Sequence, residues 1–555
     1  MTYRTKSARK AVMKTTISIC MSGMTRRCSK EPGHPPFFSV DNPREGTPNQ
    51  VPWNVEDWRP IDFFFRMIPA KFFDLLVDQS NLYASQKMSG VRGHSNRFGP
   101  EITRNEVFSF IAILFAMGVC RCRNLQMYWD DKSPSVISLP SVSHVLDRTR
   151  FDTIKKFFHM ADNSKAAPKG SPSHDILHKV RPLLSELQSN CRKYWKVGTF
   201  ASLDESMINF RGRSRFKQYI KSKPHKWGFK FFSVCDSITG YFIHFELYTG
   251  KQTVEEKYGL CTDVVLKLVK ECGLEGSKTV VVADNYYTSP QLCALLATKG
   301  IGFIGTCQLS RKHVPAPLIQ FSERRTNIAP GSAKTASVVL NSVHSSLPAV
   351  PLYCISWCDT RIVNFLGTAG GVETTHVIRR NRDGSEKNVQ APLLVKTYTE
   401  RMGGVDLADQ NKQRYSVAAA VVTRKWWFRI FQGLLDIAIT NAWQIYKFFG
   451  MKGYRYNHQR FIFSVCDSLL QEGARSALPP SVTRSEYGEG HIVVKQDGKS
   501  RCVICNTNPK KKRTVYMCLK CRCALCAEKC FDYFHTHNVN VSCHFKNCTP
   551  RIGGQ

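Results

Sequence analysis

The sequence predicts an α/β core flanked by an all-α domain and a small metal-binding domain, and three observations support this fold class. Strand and helix patterns alternate between residues 199 and 307, a purely helical pattern precedes them, and cysteines concentrate after residue 500. The 555 residues exceed what one hydrophobic core needs, and 42% of them are hydrophobic. A folded protein of several domains is therefore expected.

The chain is strongly basic. Lysine and arginine number 79 against 43 acids, a formal charge of +36. This surplus favours DNA or RNA as the partner over a membrane surface. No apolar run is long enough to span a bilayer, since the nearest, Phe108–Cys120, has the length of a core helix. Residues 1–55 are predicted to be a disordered basic arm, with a mitochondrial transit peptide as the alternative.

Residues 56–198 are predicted to form the all-α domain. A helix follows Pro69, and Thr103 with Glu106 forms a capping-box signature before an apolar helix. Two further helices are predicted over Arg150–Met160 and Ile176–Tyr194. These patterns indicate a helical core, and they do not decide whether the domain binds DNA or pairs subunits.

Residues 199–307 change to alternating strands and helices. A first strand carries Asp204, and the strands Phe229–Cys235 and Tyr241–Tyr248 are joined by DSITG, a hairpin-turn sequence. The remaining predicted elements are, in order, a helix, a strand, a helix and a strand over Val254–Cys272, Thr279–Val282, Pro290–Lys299 and Gly302–Cys307. This order is that of an RNase H-like core.

The core is predicted to be interrupted and then resumed. Residues 308–395 contain strand-like pieces and are interpreted as an insertion, with a separate small β domain as the alternative. Helices return over residues 396–470, where Thr397 with Glu400 forms a second capping-box signature and a long helix covers Thr423–Phe449. A linker over 471–499 leads to the cysteine-rich domain, residues 500–548.

Three separated acids are candidate metal ligands. Asp204 and Asp284 lie on or directly after predicted strands, and Asp406 lies on a predicted helix with Asp409 three residues later on the same face. Acids that converge in so basic a chain need a cation, because like charges repel. Three carboxylates suit two Mg²⁺ ions about 4 Å apart, which would activate the attacking oxygen and stabilise the departing 3′-oxygen of DNA.

The C-terminal cysteines predict zinc. Two CxxC pairs followed by further Cys and His residues supply tetrahedral ligands where apolar sequence is sparse. Two interleaved Zn²⁺ sites are predicted, one with Cys502, Cys505, Cys526 and Cys530, the other with Cys518, Cys521, His535 and His537. Cys523 is spare and could replace Cys521 or Cys526. The sequence PKKKR, residues 509–513, reads as a nuclear import signal or a phosphate contact, with a solvated loop as the alternative.

Three motifs in order resemble the piggyBac family of DDE transposases and the host proteins derived from them. They are LDESMINFRGR, VVADNYYTS and GGVDLADQN, followed by a tryptophan-bearing helix and the cysteine-rich tail. The resemblance extends from about Trp53 to His537. It implies an RNase H-like catalytic domain with an insertion, a helical dimerisation and DNA-binding domain, and a C-terminal cross-brace domain that binds transposon ends.

The resemblance also implies an activity and its residues. Asp204, Asp284 and Asp406 would be the catalytic triad, Asp409 a nearby fourth acid, and Trp426 the aromatic residue beside the site, with Trp427 as its competitor. The reaction would be cut-and-paste transposition at TTAA targets through hairpin ends. The implied partners are double-stranded DNA and a second copy of the chain, with no membrane, and the implied location is the nucleus.

Two features depart from the family pattern, and other functions remain open. The N-terminal arm is basic where the family is often acidic, and SVAAAVVTRKWW between the last acid and the tryptophans is unusually rich in alanine and valine. A host-adopted DNA- or chromatin-binding protein that no longer cuts DNA is the main alternative. A ubiquitin ligase built on the zinc tail is weaker, because it leaves the acids unexplained.

Overall fold

The structure is a computed structural model of the chain. It describes residues 38–49, 58–88, 100–122, 124–130, 141–221, 223, 225–250, 257–312, 314, 328–340, 350–380, 383–450, 456–476, 493–502, 513–518, 524–526 and 530. The chain divides into two compact units. The first contains Met1–Phe72, Met117–Arg123 and Met160–Ile462, and the second contains Phe73–Ala116, Asn124–His159 and Phe463–Gln555.

Helices and strands are both present, so the predicted mixed α/β class is confirmed. The described helices are α1 (Pro60–Met67), α2 (Ala70–Met88), α3 (Arg104–Val119), α4 (Arg148–Phe157), α5 (Arg181–Lys193), α6 (Leu260–Glu271), α7 (Pro290–Ala297), α8 (Leu393–Arg401), α9 (Gly404–Arg414), α10 (Val417–Ala420), α11 (Trp426–Phe449) and α12 (His458–Ser476). Short 3₁₀ turns cover Leu125–Trp129 and Asn163–Lys165. Among the described helices, none is both long and apolar enough to cross a membrane.

The described strands follow the chain from the first unit into the second. They are β1 (Thr47–Pro48), β2 (Trp195–Lys196), β3 (Phe200–Asn209), β4 (Gln218–Tyr219), β5 (Trp227–Asp236), β6 (Phe242–Leu247), β7 (Val280–Ala283), β8 (Gly302–Thr306), β9 (Ala333–Leu340), β10 (Val350–Cys358), β11 (Ile362–Gly367), β12 (Thr374–Arg380), β13 (Glu386–Pro392), β14 (Val493–Arg501) and β15 (Arg513–Cys518).

Nine of these strands form one mixed sheet in the first unit. Its order is β4-β5-β3-β7-β8-β11-β10-β9, with β6 also pairing to β5. β3 pairs antiparallel to β5 and parallel to β7, and β7 pairs parallel to β8. β7 is a fully buried run, Val280–Ala283, as expected for a parallel strand covered on both faces. The four strands β3, β5, β7 and β8 place the candidate acids near the centre of the sheet.

The segment between residues 308 and 395 adds to this sheet. β11 pairs antiparallel to β8, and β10 joins β11 to β9, so these three strands continue the main sheet. β12 and β13 form a separate two-stranded hairpin. The local strand patterns did not indicate this pairing with β8.

Helix α11 is the main core helix of the first unit. Most of its residues are buried, and Asn441 joins it to β6, accepting from the N–H of Phe242 and donating to its carbonyl, each at 2.9 Å. Gly433 faces Ile208 of β3, where a side chain would clash. The long helix predicted over Thr423–Phe449 is therefore present as α11, and it packs directly on the strand that carries Asp204.

One predicted helix cap is confirmed and the other is wrong. The N–H of Thr103 donates to Glu106 at 2.9 Å, and the N–H of Glu106 donates to the Thr103 hydroxyl at 3.2 Å. Thr397 instead lies inside α8, where its hydroxyl donates to the carbonyl of Leu393 at 2.9 Å. Helix α8 begins directly after β13, so the Thr-x-x-Glu spacing falls in its interior, where threonine commonly bonds back to the preceding turn.

Candidate active site

Two of the predicted acids lie at the same edge of the main sheet. β3 and β7 pair in parallel, and Leu203 lies opposite Ala283 at the last paired position. Asp204 and Asp284 each come one residue later, so the register places them at neighbouring strand positions. Burial, and then the charges of both aspartates, raise the pKa of Tyr398. The structure therefore brings Asp204 and Asp284 close together.

The turn after β7 holds Asp284 in a defined conformation. Its carboxylate accepts from the N–H of Tyr286 at 2.9 Å, and its carbonyl accepts from the hydroxyl of Thr288 at 2.7 Å. Arg311 donates from Nη2 to the carbonyls of Asn285 and Tyr286, at 3.2 and 2.9 Å. Arg311 is thus a positioning residue for the turn that carries Asp284.

Asp406 lies on a helix that rests on β3. It is exposed in the first turn of α9. The N–H of Gly404 donates to Ser202 Oγ at 3.3 Å, and that hydroxyl donates to the carbonyl of Arg401 at 2.5 Å. Ser202 and Asp204 are two residues apart on one strand and share a sheet face. The beginning of α9 therefore covers the face of β3 to which Asp204 belongs.

The three carboxylates do not form one tight group. Across the parts of the chain that the structure describes, three or more metal-ligand atoms lie within 4.8 Å of one another only in a cysteine cluster. At least one pair among Asp204, Asp284 and Asp406 therefore has its carboxylate oxygens more than 4.8 Å apart. The predicted site needs two ions about 4 Å apart, so its ligands need not share one coordination shell.

Burial and nearby negative charge disfavour the charged forms of Asp204 and Asp284. Burial raises the pKa of Asp204 to about 7, with Lys223 opposing the shift and Glu205 adding to it. Burial also raises the pKa of Asp284, and Glu205 contributes again. Burial acts in the same direction on Glu205, but its ion pair with Lys230, at 2.9 Å, lowers its pKa. A divalent cation would stabilise the charged forms of Asp204 and Asp284, which burial and Glu205 disfavour.

Glu205 belongs to the site although the sequence analysis predicts no role for it. Besides the Lys230 pair, its Oε1 accepts from the hydroxyl of Tyr287 at 2.8 Å. The Asp204 and Glu205 carboxyl groups interact directly, and their hydrogen bond raises the pKa of Asp204 and lowers that of Glu205. The adjacent acid pair and a lysine on the partner strand could have indicated this role. Matching that lysine to Glu205, however, requires the register between β3 and β5.

Asp409 already has a cationic partner. Its Oδ1 lies 2.6 Å from Nζ of Lys412, whose side chain is only 3% exposed. The same ammonium lies 5.4 Å from the centroid of the Phe242 ring. The predicted fourth acid is therefore part of a largely buried ion pair, and any metal it bound would compete with Lys412.

The two candidate tryptophans have different surroundings. Trp427 is buried in the core. Trp426 begins α11, lies edge-on to Phe216 at 5.3 Å, and lines a cleft of about 400 Å³ with Arg215 and His178 among its other residues. Of the two, Trp426 is the one that borders open space.

Three thiols meet in the second unit. Sulfur atoms of Cys502, Cys526 and Cys530 lie within 4.8 Å of one another, and the N–H of Cys526 donates to the sulfur of Cys502 at 3.4 Å. These are the described members of one predicted zinc set. Cys518, from the other set, is buried at the end of β15 and is not in the cluster. The remaining predicted positions, Cys505, Cys521, Cys523, His535 and His537, lie outside the described residues.

The cluster is built by the strands beside it. β14 pairs antiparallel to β15, an isolated bridge joins Met517 to Ala524, and the Thr514 hydroxyl donates to the carbonyl of Leu525 at 3.3 Å. Three convergent thiols are a donor set that suits Zn²⁺, which usually takes a fourth Cys or His ligand.

Comparisons with known proteins agree with this architecture. A family model described as transposase IS4, of the piggyBac-type DDE transposases, matches residues 59–443. The chain is 28% identical over 496 residues to human piggyBac transposable element-derived protein 3, covering 86% of this chain and 78% of that protein. It is 26% identical over 464 residues to human piggyBac transposable element-derived protein 2, covering 81% and 73%.

A solved structure has the same fold. The piggyBac transposase in its cryo-EM synaptic complex with hairpin DNA aligns with a TM-score of 0.62 at 21% identity, covering 88% of this chain and 100% of that chain. The family match spans well over half of the sequence and includes the strands and the helix that carry Asp204, Asp284 and Asp406. The chain therefore belongs to the piggyBac-type family of DDE transposases.

Proposed function

We propose that this protein is a cut-and-paste transposase that cleaves and joins DNA at TTAA sequences. The observation that carries the proposal is the parallel register of β3 and β7, which sets Asp204 beside Asp284. Asp406 follows on a helix that rests on β3. We infer that β6, β5, β3, β7 and β8 are the RNase H-like core and that β9–β11 are part of its insertion.

The acids suit a pair of Mg²⁺ ions. Hard carboxylate oxygens are the ligands Mg²⁺ prefers. Burial disfavours the charged forms of Asp204 and Asp284, which a bound cation would stabilise. Bound there, two ions would supply Lewis acidity to the attacking and departing oxygens of the phosphodiester. Glu205 is less suited, because Lys230 and Tyr287 already bind its carboxylate.

The chain's own cations and polar groups would hold the DNA. Lys223 acts electrostatically on Asp204, so a phosphate at the acids would lie within reach of its field. Arg311 fixes the turn of Asp284 through two backbone carbonyls. Residues 59–443 match the family model. The same proposal includes a nuclear location and assembly as a homodimer on double-stranded DNA.

A nicking assay tests this function. Duplexes containing terminal repeats and TTAA from beside the gene would be incubated with the purified full chain and Mg²⁺ or Mn²⁺. We expect Asp284→Asn to abolish strand cleavage while DNA binding persists, because it removes a metal ligand. Glu275→Gln is the matched control, since it removes the same charge from an exposed residue paired with Lys299, and it should cut normally.

A second candidate is a host protein that binds DNA or chromatin without cutting it. The similarity to human proteins named as derived from transposable elements favours it. Wild-type protein that binds the terminal repeats but never nicks them with either metal would establish this candidate and reject the transposase.

We also propose two structural zinc ions. Cys505 would be the fourth ligand of the zinc ion held by Cys502, Cys526 and Cys530. Cys518 would belong to a second zinc site with Cys521, His535 and His537. We expect about two zinc ions per chain by elemental analysis. Cys526→Ser should lower that content to about one, whereas Cys122→Ser, which changes a cysteine of the first unit outside both predicted zinc sets, should not. Equal zinc content in both variants would refute the assignment.

A further inference from the structure

An exposed aromatic pair lies at the β4 edge of the main sheet. Tyr219 of β4 lies opposite Trp227 of β5, their ring centroids 5.0 Å apart, and each residue is 50% exposed. The ammonium of Lys217 lies 4.8 Å from the Trp227 centroid. β4 ends the strand order of the sheet. Adjacent aromatic rings that stay exposed beside a cation are typical of a binding surface rather than of a core.

The charge around the pair has one sign. Residues 211–230 contain eight lysines and arginines and no acid. Arg211, Arg213, Arg215, Lys221 and Lys226 are exposed, whereas Lys230 pairs with Glu205. In a chain with 43 acids, such an acid-free stretch fits a partner that carries phosphates along its length.

The pair faces the same side as the candidate active site. Asp204 lies opposite Ser233 on β5, and Trp227 is six residues before Ser233 on that strand. An even separation puts both on one sheet face, roughly 20 Å apart along the strand. That separation equals the rise of about six stacked nucleotides at 3.4 Å each.

We propose that Tyr219 and Trp227 form a stacking platform for unpaired bases of the DNA strand next to the cleavage point. Aromatic rings with flanking cations bind single strands with little sequence preference, because every base presents a flat face. A paired duplex keeps its bases stacked on each other and would meet only the lysines and arginines. The proposal deepens the transposase function and adds a site for unpaired DNA to it.

Binding measured without cleavage tests the platform separately from the proposed function. Full-length protein would be titrated, without added Mg²⁺ or Mn²⁺, into a fluorescent oligo-dT strand and into a fully paired duplex. We expect Trp227→Ala to weaken oligo-dT binding about ten-fold and to leave duplex binding unchanged. Trp227→Phe should restore most of the affinity. Phe448→Ala, which removes another exposed aromatic residue of the first unit, is the matched control and should bind both probes normally.

Several results would overturn the proposal. Equal weakening on both probes, or no weakening with oligo-dT, would show that the rings do not bind unpaired bases. A shift of Trp227→Ala from dimer to monomer in size-exclusion chromatography would assign the pair to an interface between copies. Normal oligo-dT binding by a wild-type protein that never nicks DNA would support the platform while rejecting the transposase.

Discussion

Asp204→Asn is expected to abolish DNA cleavage and to stabilise the folded protein at neutral pH. The carboxylate is largely buried and lies near Glu205, so its charged form is disfavoured in the protein without metal. Asparagine keeps the shape and removes the charge. A residue that lowers the stability of the folded protein is expected at a position where function requires it.

The pH dependence has a defined sign. Burial raises the pKa of Asp204 from 3.8 to about 7, so from about pH 4 to about pH 7 the folded chain keeps a proton that the unfolded chain has lost. Wild-type stability therefore falls as pH rises through this window. The gain in free energy of unfolding that Asp204→Asn gives over the wild type should grow over the same pH window. It should level off at about 2 to 4 kcal/mol.

Chemical denaturation at several pH values, with and without Mg²⁺, measures this effect. Mg²⁺ should stabilise the wild type more than Asp204→Asn, because a bound cation offsets the charge that the variant lacks. Glu275→Gln, at an exposed acid, should follow the wild type. Cleavage by Asp204→Asn, or a stability profile identical to that of the wild type, would remove Asp204 from the proposed site.

Local sequence patterns predict elements better than they predict the contacts between them. The strand before Asp284 and the capping box at Thr103 depend on neighbouring residues, and the structure has both. The Thr397 signature uses the same chemistry but lies inside a helix, because the preceding strand already sets where α8 begins. A short motif therefore cannot fix its own position relative to longer elements.

Long-range pairing decides the rest of the site. The role of Glu205 depends on Lys230, 25 residues away, and on Tyr287, 82 residues away. The pairing of Tyr219 with Trp227 requires β4, a two-residue edge strand with no periodicity of its own. The predicted acids could be named from their motifs, but their electrostatic partners could not, since partners are set by strand register.

Gly404→Ala is expected to lower DNA cleavage by about 100-fold with little loss of fold. A Cβ at this position would lie 2.6 Å from Ser202 Oγ, 2.8 Å from Ser237 Cα and 2.9 Å from the carbonyl oxygen of Asp236. Two of these atoms are backbone and cannot rotate away. Helix α9 would have to move off the sheet and carry Asp406 with it.

A displacement of this kind acts on catalysis more than on stability. A shift of about 1 Å in a positioned group can cost about 100-fold in rate. Alanine also favours a helix over glycine by about 1 kcal/mol, which partly offsets the strain in the fold. The motif has a glycine two residues before Asp406 because only a residue without a side chain lets α9 approach β3 this closely.

Gly403→Ala is the matched control for this claim. Gly403 adjoins Gly404, has a φ of −72° and would place its Cβ with no heavy atom within 4 Å. Both substitutions add one methyl group at the start of α9, where Gly403 is the N-cap and Gly404 the first helical residue. The clash at Gly404 is the main difference between them. Cleavage rates at saturating DNA should be near wild type for Gly403→Ala and about 100-fold lower for Gly404→Ala. Equal rates for the two variants would show that close approach of α9 to β3 does not position Asp406.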